Sequence, residues 1–478
     1  MDELTNLGPA KWELSPREGR VPVWLYANSQ LAEKMKRDRT LWQASNVSKL
    51  PGIIKAAEVM PDGHEGYGFP IGGVAAFGME DGIISPGGVG YDINCGVRMI
   101  LTNLTASDVK PKLNELMTKL FTNIPSGVGS KGRIRLTREE LDAPLREGAQ
   151  WAISKGYGWA EDAERIEENG RMMEADPSKV SDMAMKRGAP QFGTLGAGNH
   201  FLEVQRVAEI ADEKTAKAFG IESKDQVVVM LHCGSRGFGH QVCDDYIRVM
   251  LDAAKKYDIA LPDRELCCAP INSKEAVDYV GAMYSAVNYA FCNRQVMTHW
   301  IRETFQDVFK KSPDALNMHV VYDVCHNIAK FEEHEVLGKK TKVCVHRKGA
   351  TRAFAPGRKE IPQIYRAAGQ PVIIPGSMGT ASYLLVGAEG AMKESWGSTC
   401  HGAGRTMSRH QAIRDYPAAA VQKDLDSKGI VLRATGKEII SEEASGAYKD
   451  VSAVVASVQE AGLSRIVARV EPMGVAKG

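Results

Sequence analysis

The sequence predicts an α+β fold: one large mixed domain over residues 1–478, with central β-sheets and surrounding helices. Three observations lead there. Strand-like apolar runs and helical periods are both present, but they do not take turns. That excludes a doubly wound sheet or a regular α/β barrel. The stretch 60–98 is dense in glycine and has little helical periodicity, so it reads as short strands and tight turns. Finally, nothing divides the chain: it has no Pro/Ser-rich linker, no low-complexity tract, no long block of one charge and no internal repeat. Length alone suggests roughly three domains, but the missing linkers favour one interwoven unit.

The elements follow in order. Residues 28–47 read as helix, and 52–59 as a short strand entering Met-Pro-Asp-Gly-His-Glu-Gly. After the glycine-rich stretch comes a strand at 97–103, then helices at 106–121, 137–154 and 178–187. Strands are expected at 200–206 and 226–232, a helix near 240–256 and a long one near 274–308. The chain then returns to strands at 317–323, 342–347, 371–374 and 429–434. It ends with helix 449–461 and strand 464–471.

Hydrophobic content of 44% and charged content of 25% are those of an ordinary globular protein. A net charge of +1 says nothing about nucleic acid, so any polyanion must be held by a local patch. Nine cysteines, an odd number without framework spacing, point to a reducing compartment. The acidic start Met-Asp-Glu-Leu-Thr-Asn lacks the apolar core of a signal peptide. No apolar run approaches the roughly 18 residues needed to span a bilayer. The expectation is a cytoplasmic protein with no membrane partner.

The richest signal is a set of metal-binding side chains placed in turns: Asp92, Cys95, His200, His232 and His326. Each ends an apolar run or sits among glycines, where a rigid element aims the side chain and the turn leaves room. Any one alone is more often structural. Together they read as a metal site, in which imidazole and thiolate suit zinc and the carboxylate widens the choice to manganese or iron. The single thiolate could bridge two ions, and paired cations fit phosphoryl chemistry.

Three further segments carry weaker signals. His401 sits in Thr-Cys-His-Gly-Ala-Gly-Arg, where glycines admit a phosphate, Arg405 and Arg409 add charge, and a neutral imidazole could attack phosphorus. A loop histidine near a helix start is an equal reading. Residues 374–383 place Gly376, Ser377 and Ser382 after a strand, like a phosphate loop. The basic stretches 346–359 and 131–138 could track an RNA backbone, although most charge runs are solvated faces. There is no G-x-x-x-x-G-K-[ST] loop, no H-E-x-x-H helix and no lysine in a K-x-D-G setting. A nucleotidyl intermediate therefore needs a nucleophile other than that lysine. A metal-dependent phosphodiesterase or cyclic phosphatase, with no covalent nucleotide, and a non-catalytic RNA-binding protein both stay open on these residues.

Taken together, the motifs resemble the RtcB family of RNA ligases. The matching segments are 60–73, 88–98, 196–203, 232–241, 326–329, 375–380 and 401–405, in order and over nearly the whole chain. The resemblance implies an RtcB-like fold. It also implies joining of RNA ends with a 2′,3′-cyclic phosphate or 3′-phosphate to 5′-hydroxyl ends, using GTP and two Mn²⁺, in tRNA splicing and RNA repair. The implied partners are tRNA halves or broken RNA ends, with an archease-like activating protein possible. Asp92, Cys95 and His200 would hold one manganese; Cys95, His232 and His326 the other. His401 would take GMP, with Asp62 orienting it. Asn199, His200, Phe201, Leu202, Glu203, His326, Asn327, Pro375, Gly376, Ser377, Met378, Ser382, Gly402, Ala403, Gly404 and Lys477 would line the guanylate pocket, and Glu203 would accept from the guanine edge.

Overall fold

The computed structural model describes residues 4–15 and 18–478. It has a mixed α+β architecture built on two large sheets. The first runs in the order Thr5–Gly8, Lys11–Leu14, Val23–Tyr26, Ile53–His64, Ile71–Gly78, Lys339–Lys348, Asn327–Val336. The second runs Val320–Cys325, Gly96–Thr105, Gln226–Cys233, Phe201–Ile210, Ser464–Lys477, Ser382–Gly387, Pro371–Ile374. Val431–Ala434 pairs parallel to the strand Ser464–Lys477. The second sheet curls into a nearly closed barrel.

Both faces of that barrel sheet are apolar, and the pleat explains why. Val97, Met99, Leu101, Val228 and Met230 point into the barrel, where they meet Ile373, Leu384, Val386, Val467 and Val470. Ile100, Val227, Val229 and Leu231, one residue out of phase, join the main core with the long helix Lys274–Phe309. Strands buried on both faces read as continuous apolar runs, which is how 226–232 appears in the sequence. The register pairs Cys233 with Gly96 and Phe201 with His232. Three ligand-bearing turns therefore gather at one rim of the barrel.

Several expected elements differ in detail. The helix at 28–47 is two, Ser29–Met35 and Thr40–Val47, restarted where Asp38 accepts the Thr40 N–H at 2.9 Å. Pro111 lacks an N–H, so 106–121 breaks into Ala106–Val109, a short 3₁₀ turn and Leu113–Asn123. The stretch 137–154 divides at Gly148 into Arg138–Glu147 and Ala149–Ser154. The strands Asn327–Val336 and Ser382–Gly387, and the three strands before residue 27, are additions. The basic stretch 346–359 is largely not a surface patch. Arg347 is buried against Glu332 at 2.7 Å, Arg352 is buried beside Glu168, and Lys348 is also buried. Lys131, Arg133 and Arg135 are exposed.

Candidate active site

The turns between strands hold one another by backbone and amide hydrogen bonds. His326 donates its N–H to the Cys95 carbonyl at 3.0 Å, and Asn94 donates to that of Asn327 at 2.8 Å. The Asn327 amide donates to the Asp92 carbonyl at 3.0 Å and accepts from the Gly349 N–H at 2.8 Å. Asp92 accepts the Ser235 N–H at 3.0 Å. Position 234 requires glycine, because a Cβ there would lie 2.3 Å from the Asp92 carboxylate. Beneath the turns, fully buried Arg294 donates to the carbonyls of Asn94 at 2.9 Å and Cys233 at 2.6 Å, and pairs with Asp323 at 2.7 Å.

This frame brings all five expected ligands together. Asp92, Cys95 and His200 form one triad and Cys95, His232 and His326 a second, with the donor atoms of each within 4.8 Å of one another. Cys95 Sγ is 3.4 Å from His200 Nε2 and 3.2 Å from His232 Nε2. His200 Nε2 is 2.8 Å from Asp92 Oδ2, and the Nε2 atoms of His232 and His326 face each other at 3.3 Å. Two buried imidazole nitrogens aimed at each other and at a thiol form a cation's donor set, and Cys95 is the common member. The donor chemistry thus fits a resident pair of divalent ions. Burial and the Asp92 charge push the Cys95 thiol up to about 12; a bound cation reverses that, since a coordinating thiol is deprotonated. Burial lowers His232 and His326, chiefly by desolvation, and so keeps them in the neutral form that ligates. Among the described residues the Nδ1 atoms of His200, His232 and His326 have no hydrogen-bond partner. Their rings are fixed by edge-on packing instead, at 5.5 Å for His200–His232 and 5.2 Å for His232–His326.

His401 continues this line of rings, 5.0 Å from His326. Its Nδ1 lies 2.5 Å from Oδ2 of the fully buried Asp62. The same oxygen accepts the N–H groups of His401 at 2.9 Å and Gly402 at 3.1 Å. Burial alone pushes the Asp62 carboxyl up, but the charge and hydrogen bonds of His401 outweigh it and hold it below its ordinary value. One carboxylate therefore holds the turn by hydrogen bonds and faces the ring at ion-pair distance, leaving Nε2 as the nitrogen on the far side of the ring.

Two connected spaces meet at His401. A groove of about 480 Å³ contains Asp92, Cys95, His200, His326 and Asn327, with Arg187, Arg236 and Arg409 on its walls. A pocket of about 190 Å³ lies beyond, lined by Asn199, Phe201, Pro375, Gly376, Ser377, Met378, Gly402, Ala403, Gly404 and Lys477. Lys477 donates to the Gly198 carbonyl at 2.8 Å and to Glu443 at 2.9 Å. Glu443 also accepts from Arg405 at 3.1 Å and from the Tyr448 hydroxyl at 2.5 Å. Burial raises the Glu443 carboxyl, but Lys477 and these hydrogen bonds bring it below its ordinary value.

His200, His326 and Asn327 line the groove and not the pocket, and three further expected residues line neither. Leu202 packs into the main core. Ser382 is buried, its hydroxyl accepting the Gly376 N–H at 3.0 Å and so shaping the loop. Glu203 is buried two residues along the same strand as Phe201; its Oε2 accepts from the Gln205 amide at 2.7 Å, while Oε1 has no partner among the described residues. Burial pushes this carboxyl up to about 8. Glu443, Tyr448 and Arg187 escaped sequence reading, because nothing in their spacing ties them to the glycine-rich motifs; His64 sits within Met-Pro-Asp-Gly-His-Glu-Gly but carries no assigned role there.

A thiol shared by two donor triads of imidazoles and a carboxylate, beside a carboxylate-backed histidine and a glycine-lined pocket, suits metal-assisted phosphoryl transfer. Residues 43–478 match the family described as tRNA-splicing ligase RtcB, and the chain belongs to this family. It is 57% identical to the tRNA-splicing ligase RtcB of Thermococcus kodakarensis, over 100% of this chain and 99% of the relative. The ligase of Archaeoglobus fulgidus is also 57% identical, over 99% of each chain. That of Nanoarchaeum equitans is 53% identical over 100% and 99%.

Proposed function

We propose that the protein joins RNA ends bearing a 2′,3′-cyclic phosphate or 3′-phosphate to 5′-hydroxyl ends, through a histidine–GMP intermediate on His401, in tRNA splicing and RNA repair. The observation that carries this reading is the His401–Asp62 pair at 2.5 Å, set between the metal donors and a glycine-lined pocket. Family membership supports the RNA ligase class.

Asp92, Cys95, His200, His232 and His326 would hold two divalent ions, manganese by the family resemblance, which offset phosphate charge when bound. Asp62 keeps the proton on Nδ1, so the Nε2 lone pair of His401 is free to form the N–P bond to the α-phosphorus of GTP. The bond from that phosphorus to pyrophosphate breaks as it forms. Lys477, on the pocket wall, supplies positive charge beside the nucleotide. By the family resemblance Glu203 is read as the acceptor for the guanine N1–H and amino group, a role that requires nucleotide binding to ionise the carboxyl and open the pocket wall to it. GMP passes next to the RNA 3′-phosphate, regenerating His401. The 5′-hydroxyl then attacks that activated phosphorus and GMP leaves. A cyclic phosphate is first opened by water.

The test is incubation with α-labelled GTP and Mn²⁺, followed by denaturing electrophoresis, for wild type and His401→Ala. A labelled band, stable to alkali, labile to acid and lost in the variant, is expected. No label on metal-loaded wild type would overturn the reading and favour a hydrolase that uses the same cations without a covalent nucleotide.

A further inference from the structure

Two tyrosines in the groove have no part in metal holding or nucleotide transfer. Tyr67 and Tyr91 line its wall beside Asp92 and are half-buried. Their rings pack edge to face, with centroids 5.3 Å apart at 63°. Tyr91 is backed by His240 at 6.0 Å. Among the described residues neither phenol oxygen has a hydrogen-bond partner, which is also so for Tyr279 and Tyr322 in the core.

The backbone that presents Tyr67 is pinned from two sides. The buried Lys348 ammonium is spent on the carbonyls of Tyr67 and Gly87, the latter at 3.2 Å. The next residue, Gly68, has φ +72° and donates its N–H to Glu265 at 2.8 Å; a Cβ there would sit 2.5 Å from the Glu265 carbonyl. Tyr91 immediately precedes the metal-ligand turn. A rigid aromatic shelf at the edge of a polar groove, with its ammonium turned inward, is built to receive a flat apolar face and not a phosphate.

Resting on the reading of the protein as an RNA ligase, we propose that Tyr67 and Tyr91 form a base-stacking subsite for the nucleotide that carries the terminal phosphate. A base on this shelf places its sugar and 3′-phosphate beside Asp92 and the other metal donors, where the phosphate must react. Positive charge for the RNA backbone comes from elsewhere on the groove wall, where Arg187 and Arg409 lie. Single-stranded RNA ends expose their base faces, and stacking on tyrosine tolerates every base. Such a subsite holds any broken end in register without reading its sequence.

The experiment places 2-aminopurine as the last base of a 3′-phosphorylated RNA and follows its fluorescence on titration with protein. Quenching is expected with wild type, with Tyr67→Phe and with Tyr91→Phe. Tyr67→Leu and Tyr91→Leu should lose it and bind the RNA about 5- to 100-fold more weakly. An abasic terminal nucleotide should weaken wild-type binding by a similar factor, a comparison that needs no variant. Absence of quenching with wild type, quenching retained by the leucine variants, or quenching only when the probe ends the 5′-hydroxyl strand would each overturn the proposal. Labelling by GTP, measured on the same wild-type protein, fails independently if the ligase reading is wrong.

Discussion

Replacing Asp62 by asparagine isolates what its charge does. The side chain is fully buried, and one oxygen accepts the N–H groups of His401 and Gly402 at 2.9 and 3.1 Å and lies 2.5 Å from His401 Nδ1, an ion-pair contact. An amide oxygen still accepts the two backbone groups, so the turn keeps its shape. What is lost is the charge facing the ring. A hydrogen bond to a charged group is worth about 1.5–3 kcal/mol, or roughly 10- to 100-fold in rate. If the amide nitrogen instead faces Nδ1, the ring must carry its proton on Nε2, and the nucleophile is silenced. In a serine-protease triad the same change costs about 10⁴-fold through the wrong tautomer. We expect guanylylation of Asp62→Asn to fall by about 10- to 10⁴-fold, the upper end if the tautomer switches. The assay is rapid-quench labelling with α-labelled GTP at matched metal occupancy. Because the carboxyl sits below its ordinary value of 3.8, it stays ionised through the whole neutral range and the pair weakens only as pH falls through that depressed value. Labelling of the asparagine variant at the wild-type rate would refute the orienting role.

Three other perturbations have definite outcomes. Cys95→Ala should lose both bound metal and manganese-dependent guanylylation, because the one thiol belongs to both triads; metal content by mass spectrometry checks it, and undiminished loading removes Cys95 from the site. Glu203 has a folded-state value of about 8 against an ordinary 4.5, so it keeps its proton on folding. Its contribution is full below pH 4.5 and is lost as pH rises toward 8, with a limiting slope of about 1.4 kcal/mol per pH unit. Glu203→Gln should flatten the wild-type fall of Tm over that window; an unchanged slope contradicts the assignment. Asp323→Ala strips two fully buried arginines, Arg98 at 2.8 Å and Arg294 at 2.7 Å, of their carboxylate. It should cost about 3–5 kcal/mol in denaturant unfolding and also weaken metal binding, since Arg294 holds the turns on either side of the ligands.

The ligand set was readable because its chemistry is carried by residue types that stand out beside glycine, and because each turn follows an apolar run. Asp92, Cys95, His200, His232 and His326 needed only the fold to converge. The floor of the pocket was not readable. Glu443 and Tyr448 lie in Glu-Glu-Ala-Ser-Gly-Ala-Tyr-Lys, which has no period and no motif spacing, and only tertiary packing sets Glu443 against Lys477. The strand Asn327–Val336 was hidden for a related reason. Its Lys330, Glu332 and His334 are charged or polar, yet they are buried in pairs with Glu167 and Arg347 and with each other. The same pairing turns Arg347 and Arg352 from apparent surface charges into buried members of ion pairs. Charge in a sequence does not say which side of a sheet it faces.

The central claim is that the nucleotide on His401 is on the path to joined RNA. The most direct measurement is a single-turnover chase. Protein labelled with α-labelled GTP is freed of nucleotide, then mixed with one RNA ending in a 3′-phosphate and another beginning with a 5′-hydroxyl. The account predicts that label leaves the protein, passes through the phosphorylated RNA and ends as free GMP, with one joint formed per GMP released. Label that stays on the protein while ends are joined, or phosphate ends that are hydrolysed with no joint, would contradict it.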